Sequence, residues 1–412
     1  MLDLDLEVLI DACSSGGSSC LTSTTELQPA AGPHAAVAPA KFSTRRGTAD
    51  NSTYAYERRF LDGEERRVVL LDSKQSTLNR VEDAIDLAAQ FDESVSARIP
   101  TLRVTYRPDD GPLETYTDRT LPHRAFDGHL RAASIEGTPA TSDPIYVSLR
   151  DARPADASAL LRHAPGTLVF GGWDASRKAR QGRWRSALVG EIIGFCTDPG
   201  EPADRRGGAR VDPVAMQIAL PPDEAKKVLD AQRHELSPKL VQKFEKEIAG
   251  QRKKGEPVLP SELGLGGIPP SLDELAGVAC HRIVRSRVLS FAALRQTRFG
   301  LDPDPQRDAA ARAALAALAL HGIARADAEL SLRANCDLVE AGPTTVRLDR
   351  RYGQFDELVP LSIDAGDALL EAAIAHLAEV TGVEWDGQVL EFVGNPAIVA
   401  AAQDVEPEDQ TE

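Results

Sequence analysis

Between Thr167 and Phe195 the chain reads TLVFGGWDASRKARQGRWRSALVGEIIGF, two apolar segments divided by a run of positive charge. Leu168, Val169 and Phe170 open the stretch, and Gly171-Gly172 breaks it. Arg177, Lys178, Arg180, Arg183 and Arg185 follow within nine residues that hold no acid. Trp184, Leu188, Val189, Ile192 and Ile193 then return the chain to apolar character. Apolar runs are driven inside, whereas arginine stays outside unless it is paired. The pattern predicts a short strand, a glycine corner, a basic loop and a second buried element. The rest of the chain sets this loop apart, because the net charge is -16 over 412 residues. Arginine on such a frame suits phosphate, since its planar donors pair with two oxygens at once.

Two further basic segments are spread along the chain. Lys41, Arg45 and Arg46 form one, and Arg282, Arg285, Arg287, Arg295 and Arg298 lie in an acid-free stretch at 275–300. By contrast, the last twelve residues hold Asp404, Glu406, Glu408, Asp409 and Glu412 with no base, which predicts a disordered tail. The overall acidity opposes non-specific adhesion to nucleic acid, but specific phosphate contact depends on local clusters. No window approaches eighteen consecutive apolar residues, so no membrane span is expected. The start, MLDLDLEVLIDAC, has no basic segment of the secretory kind. Five scattered cysteines (13, 20, 196, 280, 336) suit a reducing cytoplasm better than a disulfide framework.

Hydrophobic periodicity predicts strands at 21–28, 53–60, 66–72, 101–106, 211–219, 327–339, 344–349 and 388–393, with the turn signal Asp62-Gly63 between the second and third. Leu78, Val81, Ile85, Ala88 and Phe91 recur at helical spacing over 75–91. Helices are also expected at 122–133, 155–163, 306–321 and 364–379, and strand then helix in 277–298. Residues 222–254 read as two charged helices divided by Ser237-Pro238. Helices and strands interleave with hairpin-like gaps, which favours an α+β core over a doubly wound parallel sheet.

Nucleotide-loop, nucleophile-elbow and zinc-protease motifs are absent. Cys13 and Cys20 lack a second pair, which argues against zinc. His123, Asp127 and His129 read as polar packing, and Asp72, placed between a strand and a helix, reads as a helix cap. No catalytic residue, metal or cofactor is expected from the residues themselves.

Several long blocks carry a family resemblance, in one order. They are Ala38-Pro39-Ala40-Lys41-Phe42; the run from Val69 to Glu82, VLLDSKQSTLNRVE; Pro122-His123-Arg124 with Asp127; TLVFGGWD and SALVGEIIG of the opening stretch; Arg210-Val211-Asp212-Pro213; Ser261-Glu262 through Ile268-Pro269-Pro270; and Val288 to Arg295, VLSFAALR. Over roughly residues 20–340 the chain resembles the backbone subunit of the type I-G (formerly I-U) CRISPR interference complex, a Cascade protein of the RAMP superfamily. It departs from the family pattern at Leu78, where an alanine is usual. The glycine-rich loop after the Trp-Asp pair is replaced by SRKARQGRWR, and a His-Asn pair by Gly264-Leu265-Gly266-Gly267.

The resemblance implies a ferredoxin-like (RRM-like) palm over residues 1–400. Insertions are expected at 41–52 (a basic loop), 109–165 and 222–270 (helical), followed by the acidic tail at 401–412. It implies a non-catalytic subunit in antiviral defence, polymerising along guide RNA (crRNA) and supporting its pairing with target DNA. The implied partners are copies of the same chain in a helical filament, other Cascade subunits and a recruited nuclease-helicase, with no membrane. A subunit that accepts any spacer grips backbone and shape rather than base edges. The residues expected to do so are Arg45, Arg46, Lys74, Gln75, Asn79, Arg80, Arg177, Lys178, Arg180, Arg183, Arg185, Arg282, Arg285 and Arg287. Lys74 to Arg80 would use the positive end of a helix as well. The alternative is a RAMP-type ribonuclease using Asp72 or Asp174.

Overall fold

The computed structural model describes residues 1–43, 52–61, 63–91, 94–107, 113–174, 176–178, 181–197, 205–215 and 218–399; the acidic tail lies outside them. The chain is a mixed α/β protein of two units. The first holds the described residues of Met1–Ala40, Ala55–Thr197 and Ala279–Ala402, and the second those of Lys41–Tyr54 and Asp198–Val278.

The larger sheet of the first unit is antiparallel throughout. Its main path has β1 (Cys20–Pro29), β2 (Tyr56–Leu61), β3 (Glu64–Asp72), β5 (Leu188–Cys196), β8 (Cys280–Ser290), β9 (Thr345–Asp349) and β10 (Phe355–Leu358), and Leu338–Glu340 pairs with the end of β1 beside this path. They lie in the order β10–β9–β1–β8–β5–β3–β2. Helices α2 (Lys74–Ala89) and α5 (Pro305–Ala328) connect the inner strands. The path from β1 to β5 runs through α2 and leaves β8 seated between the two strands. The path from β8 to β9 runs through α5 and leaves β1 between them. Period-two alternation sorts the residues: Ile283, Arg285, Arg287 and Leu289 of β8 are buried, whereas Val284, Ser286 and Val288 are partly exposed.

Helix α2 starts at Ser73, whose Oγ accepts from the Ser76 amide at 3.2 Å. Its buried stripe is Leu78, Val81, Ile85 and Ala88. Phe91 has the right spacing but lies past the helix end and is exposed. Helix α5 begins with Pro305 behind an Asp304 cap and is buried nearly all round, as a central helix must be. It crosses α2 at Gly322, where an added Cβ would lie 2.6 Å from Val81 and 2.8 Å from Ile85. Glycine suits that close contact, and α5 continues through it to Ala328, past the end that the sequence pattern suggests. Helix α6 (Ile363–Thr381) covers the other side of α5 with Leu370, Ile374 and Leu377 buried.

A smaller sheet of the same unit pairs β4 (Thr101–Tyr106) with β11 (Val389–Val393) in parallel. Its core includes Phe392 edge-on to Tyr146 and a fully buried Trp385, whose indole donates to the Leu161 carbonyl at 2.9 Å. In the second unit β6 (Arg205–Arg210) pairs with β7 (Ile268–Leu275), and α3 (Pro222–Gln232) packs on α4 (Pro238–Lys254). The helix pair closes around Ala225, Leu229, Val241, Phe244 and Ile248, with Ser237 capping α4.

Several expected elements differ; the helix expected at 122–133, for one, is two short pieces, Arg124–Phe126 and Gly128–Arg131. Leu168-Val169-Phe170 ends a short helix, Pro165–Phe170, rather than forming a strand. Proline at the first position favours the helix, and burial on every side erases the period that separates the two structures. The described residues of 211–219 form no strand; the pairing strand is β6, built from RRGGAR, a turn-rich sequence. Its partner β7 is distant in sequence, and the register shifts at Gly208. The strand expected at 327–339 shortens to Leu338–Glu340: α5 takes its first two residues, and 329–337 are turn and irregular backbone.

Replacing Gly322 with Leu should cost about 1–3 kcal/mol by overpacking. A thermal denaturation scan should show one lowered transition, whereas Gly342→Ala, with nothing within 4 Å of its added Cβ, should leave it unchanged.

Candidate nucleic-acid interface

At the start of α2, Lys74, Gln75 and Asn79 are exposed, while Thr77 and Leu78 turn inward. Lys74 makes no ion pair among the described residues. Arg80 is engaged instead: it reaches Asp72 at 3.4 Å and donates to the Ser331 and Leu332 carbonyls. Asp72 is buried at the end of β3 and also accepts from Thr77 Oγ1 at 2.8 Å. It is a brace between strand and helix and not the expected cap, which is Ser73.

The segment from Gly171 to Ala187 is a hairpin tied at its base. Gly172 pairs with Trp184 and Trp173 with Arg183. Ser186 Oγ donates to the Phe170 carbonyl at 2.7 Å, and the Ala187 amide to Val169 at 2.8 Å. Gly171 has φ of +89°, and a Cβ there would lie 2.8 Å from Ser186 Oγ. Asp174 is fully buried and accepts from Arg150 at 2.8 and 3.1 Å and from Arg131 at 3.4 Å. Arg177 bends back to the Arg150 carbonyl at 2.7 Å and to Asp151. What stays outward is Lys178, Arg183 and Arg185. Arg183 lies 4.7 Å above the half-exposed Trp173 ring, which pairs a cation with an aromatic face.

A buried ion pair fastens this hairpin to α2. Glu82, 1% exposed, meets Arg124 through two bonds of 2.5 Å. The same guanidinium donates to the Gly171 carbonyl at 3.3 Å. Burial pushes the Glu82 carboxyl up to about 7, against the pull of Arg124. Arg124 holds a φ of 49°, a left-handed conformation that costs of order 1–3 kcal/mol unless its surroundings enforce it. Asp127 next to it accepts from the His123 and His129 amides at 3.1 and 2.9 Å. His129 Nδ1 lies 2.6 Å from the Tyr106 hydroxyl. This cluster is polar packing.

The β8 arginines lie on two faces. Arg282 is partly exposed, 3.7 Å from Glu26. Arg285 and Arg287 sit under the helices, about as buried as the leucines beside them, and both reach Asp327 of α5. The structure thus brings Lys74, Gln75 and Asn79 to one outward helix face, and Lys178, Arg183 and Arg185 to one hairpin. It separates Arg285 and Arg287 from both. Arg45, Arg46 and Arg180 lie outside the described residues.

Sequence spacing gave no sign of a third cluster. Ser96 Oγ lies 2.7 Å from His321 Nε2, and Asp367 Oδ1 lies 2.8 Å from His321 Nδ1. The atom order is that of a nucleophile triad. Ser96 and His321 are nevertheless fully buried, and burial pushes His321 down to about 3. Ser96 and His321 join α5 to the segment before β4, whereas His321 Nδ1 and Asp367 Oδ1 are not aligned for a hydrogen bond and Asp367 is held by Arg325. Their separation in sequence (Ser96 and His321 are 225 apart) left no motif to find.

In the second unit Asp212 fixes a turn: it accepts from the Val214 amide at 2.8 Å and the Gly266 amide at 3.0 Å. The backbone of the Gly264–Gly267 loop thus makes a contact that needs no side chain from it.

Residues 21–198 match the family described as CRISPR-associated protein GSU0053 (Cas_GSU0053). The match supports a CRISPR-associated protein. It covers under half of the chain, from β1 through the hairpin to β5, and so includes α2, Arg124 and the Gly171–Ala187 segment. No curated protein matches. No helix among the described residues is long and apolar enough to cross a membrane.

Two stability tests follow. Asp174→Asn leaves two guanidiniums facing a neutral amide and should cost about 3 kcal/mol or more in chemical denaturation. His321 titrates near 6.5 when unfolded and near 3 when folded, so the unfolded chain binds the extra proton. Stability present above pH 6.5 should fall as pH drops toward 3, by up to about 1.4 kcal/mol per pH unit from this group. Denaturation midpoints for His321→Gln should lose that part of the slope.

Proposed function

We propose that the protein is a non-catalytic backbone subunit of a type I CRISPR effector complex of the I-G class. Copies polymerise head to tail along guide RNA and hold its spacer for pairing with target DNA, alongside other Cascade subunits and a recruited nuclease-helicase. The observation that carries this reading is the family match over residues 21–198, which includes β1 and β5; the sheet order β9–β1–β8–β5 supports it. With α2 and α5 as the crossings and the β2–β3 hairpin inserted before α2, that order is compatible with the β-α-β-β-α-β connectivity expected of a ferredoxin-like palm.

The charge arrangement supports the same reading. Lys74 and Asn79 on α2, and Lys178, Arg183 and Arg185 on the hairpin, point outward while most other arginines of these segments are held by acids or carbonyls. A guide-RNA scaffold needs cations and amides for phosphates and few stacking rings. Aromatic residues make up 5% of the chain. Asp72 and Asp174, the candidate acids of the ribonuclease alternative, are both buried and held by arginine, which favours bracing over metal-assisted cleavage.

The test is RNA affinity at several salt concentrations for the wild type and for a Lys74→Gln, Lys178→Gln, Arg183→Gln, Arg185→Gln variant. The variant should bind more weakly at every salt concentration. Its log–log salt slope should shrink by up to about 0.7 for each phosphate that is no longer neutralised. Equal affinity and slope would remove these residues from the interface. RNA cleavage with divalent metal that disappears in Asp72→Asn or Asp174→Asn would favour the ribonuclease.

A further inference from the structure

Arg351, Tyr352 and Gly353 form the turn between β9 and β10, with φ of 66°, 52° and 77°. Three left-handed residues in succession are costly when two of them carry bulky side chains; glycine or asparagine is the usual occupant. Nothing inside the molecule rewards tyrosine there, because Tyr352 is 98% exposed. The turn is nevertheless held in place. Arg351 donates through Nη2 to the Gly17 carbonyl at 2.8 Å and through its amide to Asp349 Oδ1 at 3.1 Å. The Gln354 amide donates to the Arg351 carbonyl at 2.9 Å. A strained turn fixed around a bare aromatic ring has the form of an anchor that a partner buries.

The opposite end of the same two strands borders an apolar cavity of about 660 Å³. Thr344, Val346 and Leu358 bring this end of the hairpin to its wall, and Leu27, Leu289 and Ile323 extend the apolar lining. Val339 and Val359 are exposed at its rim. Its buried charges are already matched, since Arg285 meets Glu340 at 2.7 Å and Arg287 meets Asp327. The cavity therefore suits an uncharged, largely apolar occupant. Glu340 uses Oε1 on Arg285 and keeps its side chain half exposed, which leaves an acceptor at the mouth. An aromatic ring ending in one hydroxyl fits both conditions. The surroundings are complementary in sign as well. Arg351, beside the tyrosine, makes no ion pair among the described residues, whereas Glu340 stands beside the cavity.

We infer that Tyr352 of one copy of this chain seats in the cavity of a second copy, its ring along the leucine wall and its hydroxyl donating to Glu340. Turn and cavity lie at opposite ends of one ladder, in which Val346 pairs with Leu358 and Asp349 with Phe355. The turn therefore cannot fold back into its own cavity, and the contact runs between copies. Because the two surfaces differ, each seated copy still offers a free end, and such a contact propagates. The inference rests on the head-to-tail reading proposed above and names the surfaces that would make it.

The test is sedimentation velocity of the full chain without RNA, up to about 0.5 mM. The wild type should associate as concentration rises. Tyr352→Asn should associate about tenfold or more weakly, while its thermal midpoint stays at or above that of the wild type, because asparagine suits a left-handed turn. Tyr352→Phe, which keeps the ring, should retain most of the association. Val339→Lys, at the exposed rim, should weaken association about tenfold by setting a cation against the incoming Arg351. A wild type that stays monomeric, or association unchanged in Tyr352→Asn or in Val339→Lys, would overturn the inference. Affinity for an RNA oligonucleotide that holds one copy is measured alongside. RNA binding without self-association would sink the contact and leave the guide-RNA reading standing; self-association lost in both variants, without RNA binding, would do the reverse.

Discussion

The buried pair of Glu82 and Arg124 holds the first unit's functional parts in register. One guanidinium joins the middle of α2, the turn before the smaller helices and the Gly171 carbonyl at the root of the hairpin. Removing either partner would leave a charge in a dry site, which is costlier than the pair is stabilising. The brace thus fixes geometry more than it adds stability. It sets where α2 presents Lys74 and Asn79 and where the hairpin presents Lys178, Arg183 and Arg185. The left-handed backbone at Arg124 fits a residue whose placement is dictated by three neighbours.

The same division of labour runs through the other charges. Asp72, Asp174, Asp327 and Asp212 each organise backbone or guanidinium groups around them. Acidic residues therefore do much of the structural work, and a limited set of cations remains outward. A chain of net charge -16 thus leaves Lys74, Lys178, Arg183 and Arg185 outward.

Much of this was legible in the sequence, because its signals are local. The α2 stripe, the β1 and β8 strands and the α+β class follow from periodicity, whereas the cap expected of Asp72 falls to its neighbour Ser73. What was not legible depends on distant partners. Leu168 to Phe170 is apolar on every side and fits helix or strand equally, so tertiary packing decides. RRGGAR becomes a strand only beside Ile268–Leu275. The hairpin and α2 were recognisable as basic segments, but nothing in the spacing says that Arg80 and Arg177 are consumed by Asp72 and Asp151. Alternation places Arg285 and Arg287 on the face of Ile283 and Leu289, and that signal could have marked them as buried. The Ser96–His321–Asp367 cluster left none.

The central claim is that the outward residues of α2 and the hairpin grip guide RNA. Hydrogen exchange of the full chain with and without guide RNA tests it most directly. The account predicts slowed exchange in peptides carrying Lys74–Arg80 and in those carrying Arg183–Arg185, with the interior of α5 unchanged. Slowed exchange confined to α3 and α4, or none at saturating RNA, would contradict it.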